Sequence, residues 1–125
     1  MSGGARKELG AAGERLAARA LAERGLTVVQ ANYRCAAGEM DLIARAPDEW
    51  VFVEVKTRRG RRFGAPEDAV NGRKQRKLVE VAETYLQEHG LDDARWRIDV
   101  VAVEMDARGR LLRLEVIENA VSRQG

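Results

Sequence analysis

The chain has 125 residues, 45% hydrophobic and 34% charged, a length and balance that fit one soluble globular domain (1–125) around a single core and leave no room for two. Its apolar runs, such as Val100-Val101-Ala102-Val103, fall far short of the ~20 residues that span a bilayer, and Arg6, Lys7 and Glu8 leave no apolar leader core, so the cytoplasm is the expected address and no membrane partner is expected. One cysteine, Cys35, and one histidine, His89, exclude an internal disulfide and a Cys/His zinc site.

In chain order, Leu9, Ala12, Leu16, Ala17, Ala20 and Leu21 form a helical stripe that predicts a first helix from about Ala5 to Arg24, stopped by Gly25. Thr27 to Gln30 reads as a short strand leading to Asn32-Tyr33-Arg34. Two strand-like runs follow, Glu39 to Arg45 and Trp50 to Thr57, around the turn residues Ala46-Pro47-Asp48-Glu49. A loop rich in Arg and Gly then ends near Pro66; Gly60 and Gly64 predict that this basic segment, around 58–70, is mobile. Leu78, Val81, Ala82, Tyr85 and Leu86 mark a second helix from about Asn71 to Glu88, closed by His89-Gly90. Strands at Arg97 to Val103 and Leu111 to Ile117 complete an α/β chain in the order α-β-β-β-α-β-β.

The near-neutral total, 22 Lys and Arg against 20 Asp and Glu, hides a strong ordering. Lys56 to Lys77 holds nine basic residues and two acids, a net of +7, which leaves −5 on the rest. A basic island on an acidic body is the footprint of a polyanion-binding surface, although a solvated loop and helix face have the same composition.

The central hairpin carries the chemistry. With its turn at 46–49, Arg45 pairs with Trp50, Ile43 with Phe52, Asp41 with Glu54 and Glu39 with Lys56. Met40, Leu42, Ala44, Val51, Val53 and Val55 then share the opposite, core-forming face. Two carboxylates placed directly opposite each other repel, and need a cation or a shared proton. Hard oxygen donors of this kind suit Mg²⁺ or Mn²⁺, with Asp41 and Glu54 as ligands. Lys56 on the same face could orient a water or stabilise charge on a phosphate, so Asp…Glu-x-Lys fits metal-assisted phosphodiester hydrolysis. The same residues also read as surface charge at a splayed strand end.

Gly38-Glu39-Met40-Asp41-Leu42-Ile43-Ala44 followed by Val51-Phe52-Val53-Glu54-Val55-Lys56-Thr57-Arg58 resembles the bacterial YraN family of endonuclease-like proteins. Gly13-Glu14, Asn32-Tyr33-Arg34, Phe63-Gly64, Lys74-Gln75 and Arg97-Ile98-Asp99-Val100-Val101 extend the resemblance along nearly the whole chain. The family is related to the PD-(D/E)xK nucleases and their Holliday-junction resolvases. The resemblance implies a restriction-endonuclease-like core, a mixed β-sheet flanked by helices, and divalent-metal-dependent DNA cleavage, with branched or recombination intermediates among the candidate substrates. It makes Asp41, Glu54 and Lys56 the catalytic set, with Met40 where many relatives carry proline. Glu14 corresponds to the first-helix acid of the resolvases; on the helical wheel it borders the apolar stripe, facing either the sheet edge or solvent. Glu39 is a further candidate, able to position Lys56 or simply to pair with it.

Arg58, Arg59, Arg61, Arg62, Arg73, Lys74, Gln75 and Arg76 are the expected nucleic-acid contacts, since DNA is held chiefly through phosphate. Arg73 and Arg76 taken singly also read as a solvated helix face, while the family pattern implies that Lys74-Gln75, at the start of the second helix, approaches the active site. Asp99 reads as a structural acceptor, Trp50 and Trp96 as packing residues, and Cys35 as a small filler. Symmetric cleavage of a four-way junction needs two sites, hence a homodimer if junctions are the substrate. The alternatives are a non-catalytic nucleic-acid-binding protein that keeps the nuclease fold, and a protein-interaction adaptor.

Overall fold

The structure is a computed structural model that describes the backbone of residues 2–62 and 64–121, with side chains from residue 8 onward. Phe63, half of the Phe63-Gly64 pair, lies outside the described residues. In order, the elements are α1 (Ser2–Glu23), β1 (Thr27–Cys35), β2 (Gly38–Ala46), β3 (Glu49–Arg59), a 3₁₀ turn (Pro66–Ala69), α2 (Gly72–Glu88), β4 (Trp96–Met105) and β5 (Leu111–Ile117). The five strands lie side by side in chain order. β3 and β4 are parallel and every other neighbouring pair is antiparallel, so the sheet is mixed, as expected for this α/β architecture. The parallel pair requires a crossover, and α2 supplies it.

Both helices end where glycine permits it. Gly25 takes φ +85, while Leu26 N–H reaches Leu21 O (3.0 Å) and Gly25 N–H reaches Ala22 O (3.0 Å), the double closure of a glycine-terminated helix. Gly90, at φ +66, closes α2 in the same way through Leu91 N–H to Leu86 O at 2.8 Å. At the other end of α2, Asn71 accepts the Lys74 N–H at 3.1 Å, which fixes the start of the helix and the phase of its first turn.

The helices cover opposite faces of the sheet. Ala17 and Leu21 of α1 pack on Leu42, Ala44, Val51, Val53, Val101 and Val103. Leu78, Val81, Ala82, Tyr85 and Leu86 of α2 pack on Met40, Ile43, Phe52, Trp96, Ile98 and Val100. Burial on both sides explains the unbroken apolar runs in β3 and β4. It also corrects the expectation of one core face, because Ile43 and Phe52 are buried as completely as Val51 and Val53. Trp96 packs edge-on to Phe52 and Trp50 lies against Tyr85, which makes both tryptophans packing residues.

Three boundaries differ from expectation. β1 runs unbroken to Cys35, because a register shift between Val28 and Gln30 and a positive φ at Asn32 let it bend without stopping. β3 runs on to Arg59, since parallel pairing with β4 extends to Arg59↔Met105. The segment read as loop contains the 3₁₀ turn, opened by Ala65 N–H bonding to Asp68 Oδ2 at 3.0 Å. Among the described residues no helix is long and apolar enough to cross a membrane.

Candidate active site

The central hairpin has the expected register from Ala46↔Glu49 to Leu42↔Val53, and there the ladder stops. Asp41 would come next. Instead of pairing through its backbone, it turns its carboxylate onto the Val55 N–H at 2.7 Å. A side-chain acceptor has replaced a main-chain one, so β2 and β3 part and the alternation of β2 changes phase. Met40 consequently packs on the α2 face with Ile43, not on the α1 face with Leu42 and Ala44 as the simple period predicts.

Asp41 and Glu54 meet in the fork opened by this divergence. Glu54 is only 4% exposed, and its Oε2 lies 3.2 Å from Lys74 Nζ and 3.5 Å from Lys56 Nζ. Burial pushes the Asp41 carboxyl up to about 8. The Glu54 charge and a hydrogen bond between the two carboxyl groups add to the rise, while the Val55 N–H opposes it. Both remedies for opposed carboxylates are therefore in place: a proton held by the pair, and two ammonium groups on the buried partner.

Glu14 reaches the same region from α1. Burial raises its carboxyl pKa, and the charges of Glu39 and Glu54 raise it further. The neighbouring Gly13 allows that approach, because a Cβ at this position would stand 1.9 Å from Thr57 Oγ1. Glu39 is placed differently from expectation. It pairs in register with Arg34, and its carboxylate lies 3.4 Å from that guanidinium, whereas the carboxylate beside Lys56 is Glu54.

The basic residues divide into groups. Arg59, at the end of β3, and Arg73 and Arg76, at the start of α2, are exposed. Arg61 is committed to Glu104 through contacts of 2.5 and 3.1 Å. Glu104 is itself buried and also bound by Arg113, which continues to Glu67 at 2.6 Å and Glu115 at 2.7 Å. That chain of ion pairs fastens the 3₁₀ turn to β4 and β5. The Gln75 amide donates to Val70 O at 3.0 Å, tying α2 to the end of the basic segment. Arg58 lines a groove of about 630 Å³ between α1 and the C-terminal end of β3, whose other walls include Leu9, Gly10, Glu14, Val55 and Lys56.

Asp99 lies outside the site. Fully buried, it accepts from Arg97 Nε at 3.0 Å and from the Asn119 N–H at 2.9 Å, so it fastens the C-terminal segment to β4. Sequence reasoning missed the Glu104–Arg113–Glu67 network. The family resemblance already brought Lys74 toward the site, and Asn71, as N-cap, fixes the phase of the first α2 turn from which Lys74 reaches Glu54.

Among the described residues no group of three or more His, Cys, Asp or Glu side chains is arranged to hold a metal ion. Two adjoining hard-oxygen groups still fit Mg²⁺ or Mn²⁺, which bind through one or two carboxylates and complete their shell with water and phosphate. The donor set does not fit zinc.

Comparison with known proteins adds the following. Residues 13–103 match the family model described as "Uncharacterised protein family UPF0102". A UPF0102 protein of Moorella thermoacetica is 43% identical over 115 residues, covering 92% of this chain and 96% of the relative. One from Roseiflexus castenholzii is 44% identical over 119 residues, covering 94% and 96%. Among solved structures, SfsA of Pyrococcus furiosus in complex with Ca²⁺ aligns at a TM-score of 0.45 and 16% identity. That alignment covers 94% of this chain and 65% of that one.

Proposed function

The chain belongs to the uncharacterised protein family UPF0102 (YraN), and we propose that it is a divalent-metal-dependent nuclease that hydrolyses DNA phosphodiester bonds, with branched or recombination intermediates as candidate substrates. The observation that carries this reading is the meeting of Asp41 and Glu54 in the β2/β3 fork, with Lys56 and Lys74 on the same carboxylate. Opposed buried carboxylates are costly for stability alone, and metal-assisted phosphoryl chemistry uses that arrangement.

Asp41 and Glu54 would hold Mg²⁺ or Mn²⁺, which supplies Lewis acidity at a phosphate oxygen and lowers the pKa of water. For Asp41 to serve as a ligand it must give up its proton. Lys56 remains beside Glu54, at a distance from which its ammonium can meet charge that develops on phosphate. Lys74 balances Glu54 until substrate supplies a second anion. Arg59, Arg73 and Arg76 hold the backbone without reading sequence. On a four-way junction two copies act together, one for each strand cut.

The test is incubation of the purified protein with linear, flap and four-way DNA, with and without Mg²⁺ or Mn²⁺, beside Asp41→Ala. The expected outcome is metal-dependent cleavage that falls about 1000-fold or more in the variant, with DNA binding preserved. Salt-sensitive binding without cleavage under any metal would replace this reading with a non-catalytic nucleic-acid-binding protein. Absence of DNA binding would leave an adaptor for another partner.

A further inference from the structure

β5 is the last strand of the sheet, and among the described residues its outer edge has no strand partner. Such an edge presents backbone donors and acceptors ready to pair, and proteins commonly blunt it with a proline, a lysine or a bulge. In β5 the bulge lies only at the start, between Glu104 and Met105 of the facing strand. From Arg113↔Glu104 to Ile117↔Val100 the register runs unbroken.

This edge is also apolar where it meets solvent. Among the described residues three large apolar side chains are exposed, and two of them, Leu111 at 47% and Leu112 at 65%, are neighbours on β5. The third, Val29, lies on β1 at the opposite edge of the sheet. There a register shift between Val28 and Gln30 and a positive φ at Asn32 bend the strand in its middle. β5 therefore offers a straight run for pairing, and β1 does not.

We propose that the β5 edge is a self-association surface, on which β5 of a second copy pairs antiparallel to make one continuous sheet. A closed dimer of this kind has a two-fold axis perpendicular to the sheet. Side chains directly opposed across the new ladder must share a face, so one residue has to stand opposite its own copy. Arg113 or Glu115 in that place would set like charges against each other. Leu114 in that place sets Arg113 against Glu115 of the second copy, twice, and Leu112 against Val116. The faces agree with this register. Leu114 and Val116 pack on the α1 side beside Val103 and Val101, and Arg113 and Glu115 alternate to the other side, opposite Glu104 and Ala102.

Arg113 is placed for the contact in advance. Glu104 and Glu67 hold its guanidinium, and Glu115 lies 2.7 Å from it with more than half of its own side chain exposed (55%). Pairing in the Leu114 register joins two such Arg113–Glu115 pairs into an alternating array of four charges. A seven-residue edge is short against the ~800 Å² per partner of a standard stable interface, so the dimer is expected to be weak and concentration-dependent. The inference rests on the sheet edge and not on the nuclease reading, and neither metal nor DNA enters its test.

The experiment is sedimentation equilibrium of the full chain in EDTA, from micromolar to submillimolar concentration. Wild type, at 13.9 kDa per chain, is expected to rise toward twice that mass. Glu115→Lys sets a lysine against Arg113 of the second copy, and Leu112→Lys charges the apolar edge. Each is expected to weaken association by about tenfold or more. Both positions are exposed, so both variants are expected to fold, which far-ultraviolet circular dichroism checks. Val29→Lys, the same kind of change on β1, should leave the association constant unchanged. A wild type that stays monomeric throughout would overturn the proposal. So would a dimer that survives either β5 substitution in a folded variant, or one that Val29→Lys weakens as much.

Discussion

Asp41 does two jobs that pull against each other. As an acceptor for Val55 N–H it ends a ladder; as a neighbour of Glu54 it holds a proton well above the usual carboxylate range. Because its folded-state pKa lies above the unfolded value, the folded state binds the extra proton. Its contribution to stability is then full below about pH 4 and lost as pH rises through about 8. Melting temperature of the metal-free protein is expected to decline across that window on this account. Asp41→Asn mimics the protonated acid, since its amide can donate to Glu54 while its carbonyl accepts from Val55. Thermal melts between pH 5 and 9 should therefore flatten in this variant, with a gain on the order of 1 kcal/mol at the alkaline end and loss of Mn²⁺ binding. A wild-type slope that persists in the variant would show that another group titrates. Lys74 gives a complementary prediction. Its ammonium sits on the Glu54 oxygen that a metal would use, so Lys74→Met should tighten Mn²⁺ binding by roughly tenfold in calorimetry. Unchanged affinity would mean that this ion pair does not compete with metal.

At the scale of elements, the position of the site depends on how closely α1 lies on β3. Gly13 sets that distance, because a methyl group there would overlap Thr57 Oγ1 at 1.9 Å and still crowd the Thr57 Cβ at 3.1 Å. Overpacking of this kind costs about 1–3 kcal/mol, against the roughly 1 kcal/mol that alanine gains over glycine in a helix. Gly13→Ala should thus lose up to about 2 kcal/mol in urea unfolding, and pairing it with Thr57→Gly should cost less than the sum of the two single losses; additive losses would place the strain elsewhere. This contact also separates what was legible in the sequence from what was not. Element order, the hairpin register and the convergence of Asp41, Glu54 and Lys56 on one strand fork follow from period-2 alternation and turn chemistry, which are local. The phase change at Asp41 was hidden because a side chain takes over a backbone hydrogen bond there, leaving no trace in the hydrophobic pattern. Glu39 was set opposite Lys56 by carrying the register past that break. The reach of Lys74 to Glu54 is a tertiary contact across the whole basic segment; the family resemblance brought Lys74 toward the site, and no local pattern named Glu54 as its partner. The Glu104–Arg113–Glu67 network joins the 3₁₀ turn to β4 and β5, segments far apart in sequence, and no local pattern announces it.

Over the whole molecule, the basic segment of +7 is not a uniform anion trap. Lys56 and Lys74 are turned inward on Glu54, and Arg61 is bound by Glu104. Arg59, Arg73 and Arg76 lie at the surface, and Arg58 and Arg59 line the groove between α1 and β3. Cations paired with buried carboxylates and cations exposed at the surface are therefore interleaved along the sequence but separated in the fold. The division can be measured, because each phosphate neutralised on duplex DNA contributes about −0.9 to the slope of log affinity against log salt. Arg73→Gln, an exposed position, should weaken binding and make the slope shallower by about one. Arg61→Gln removes the same formal charge but leaves Glu104 buried beside Arg113 alone. Its expected effect is a lower urea midpoint, with the salt slope unchanged. If Arg61→Gln flattens the slope as Arg73→Gln does, the Glu104 pair opens when DNA binds and the whole island acts on phosphate. If only Arg73→Gln does so, the island is divided between a part that shapes the fold and a part that meets the ligand.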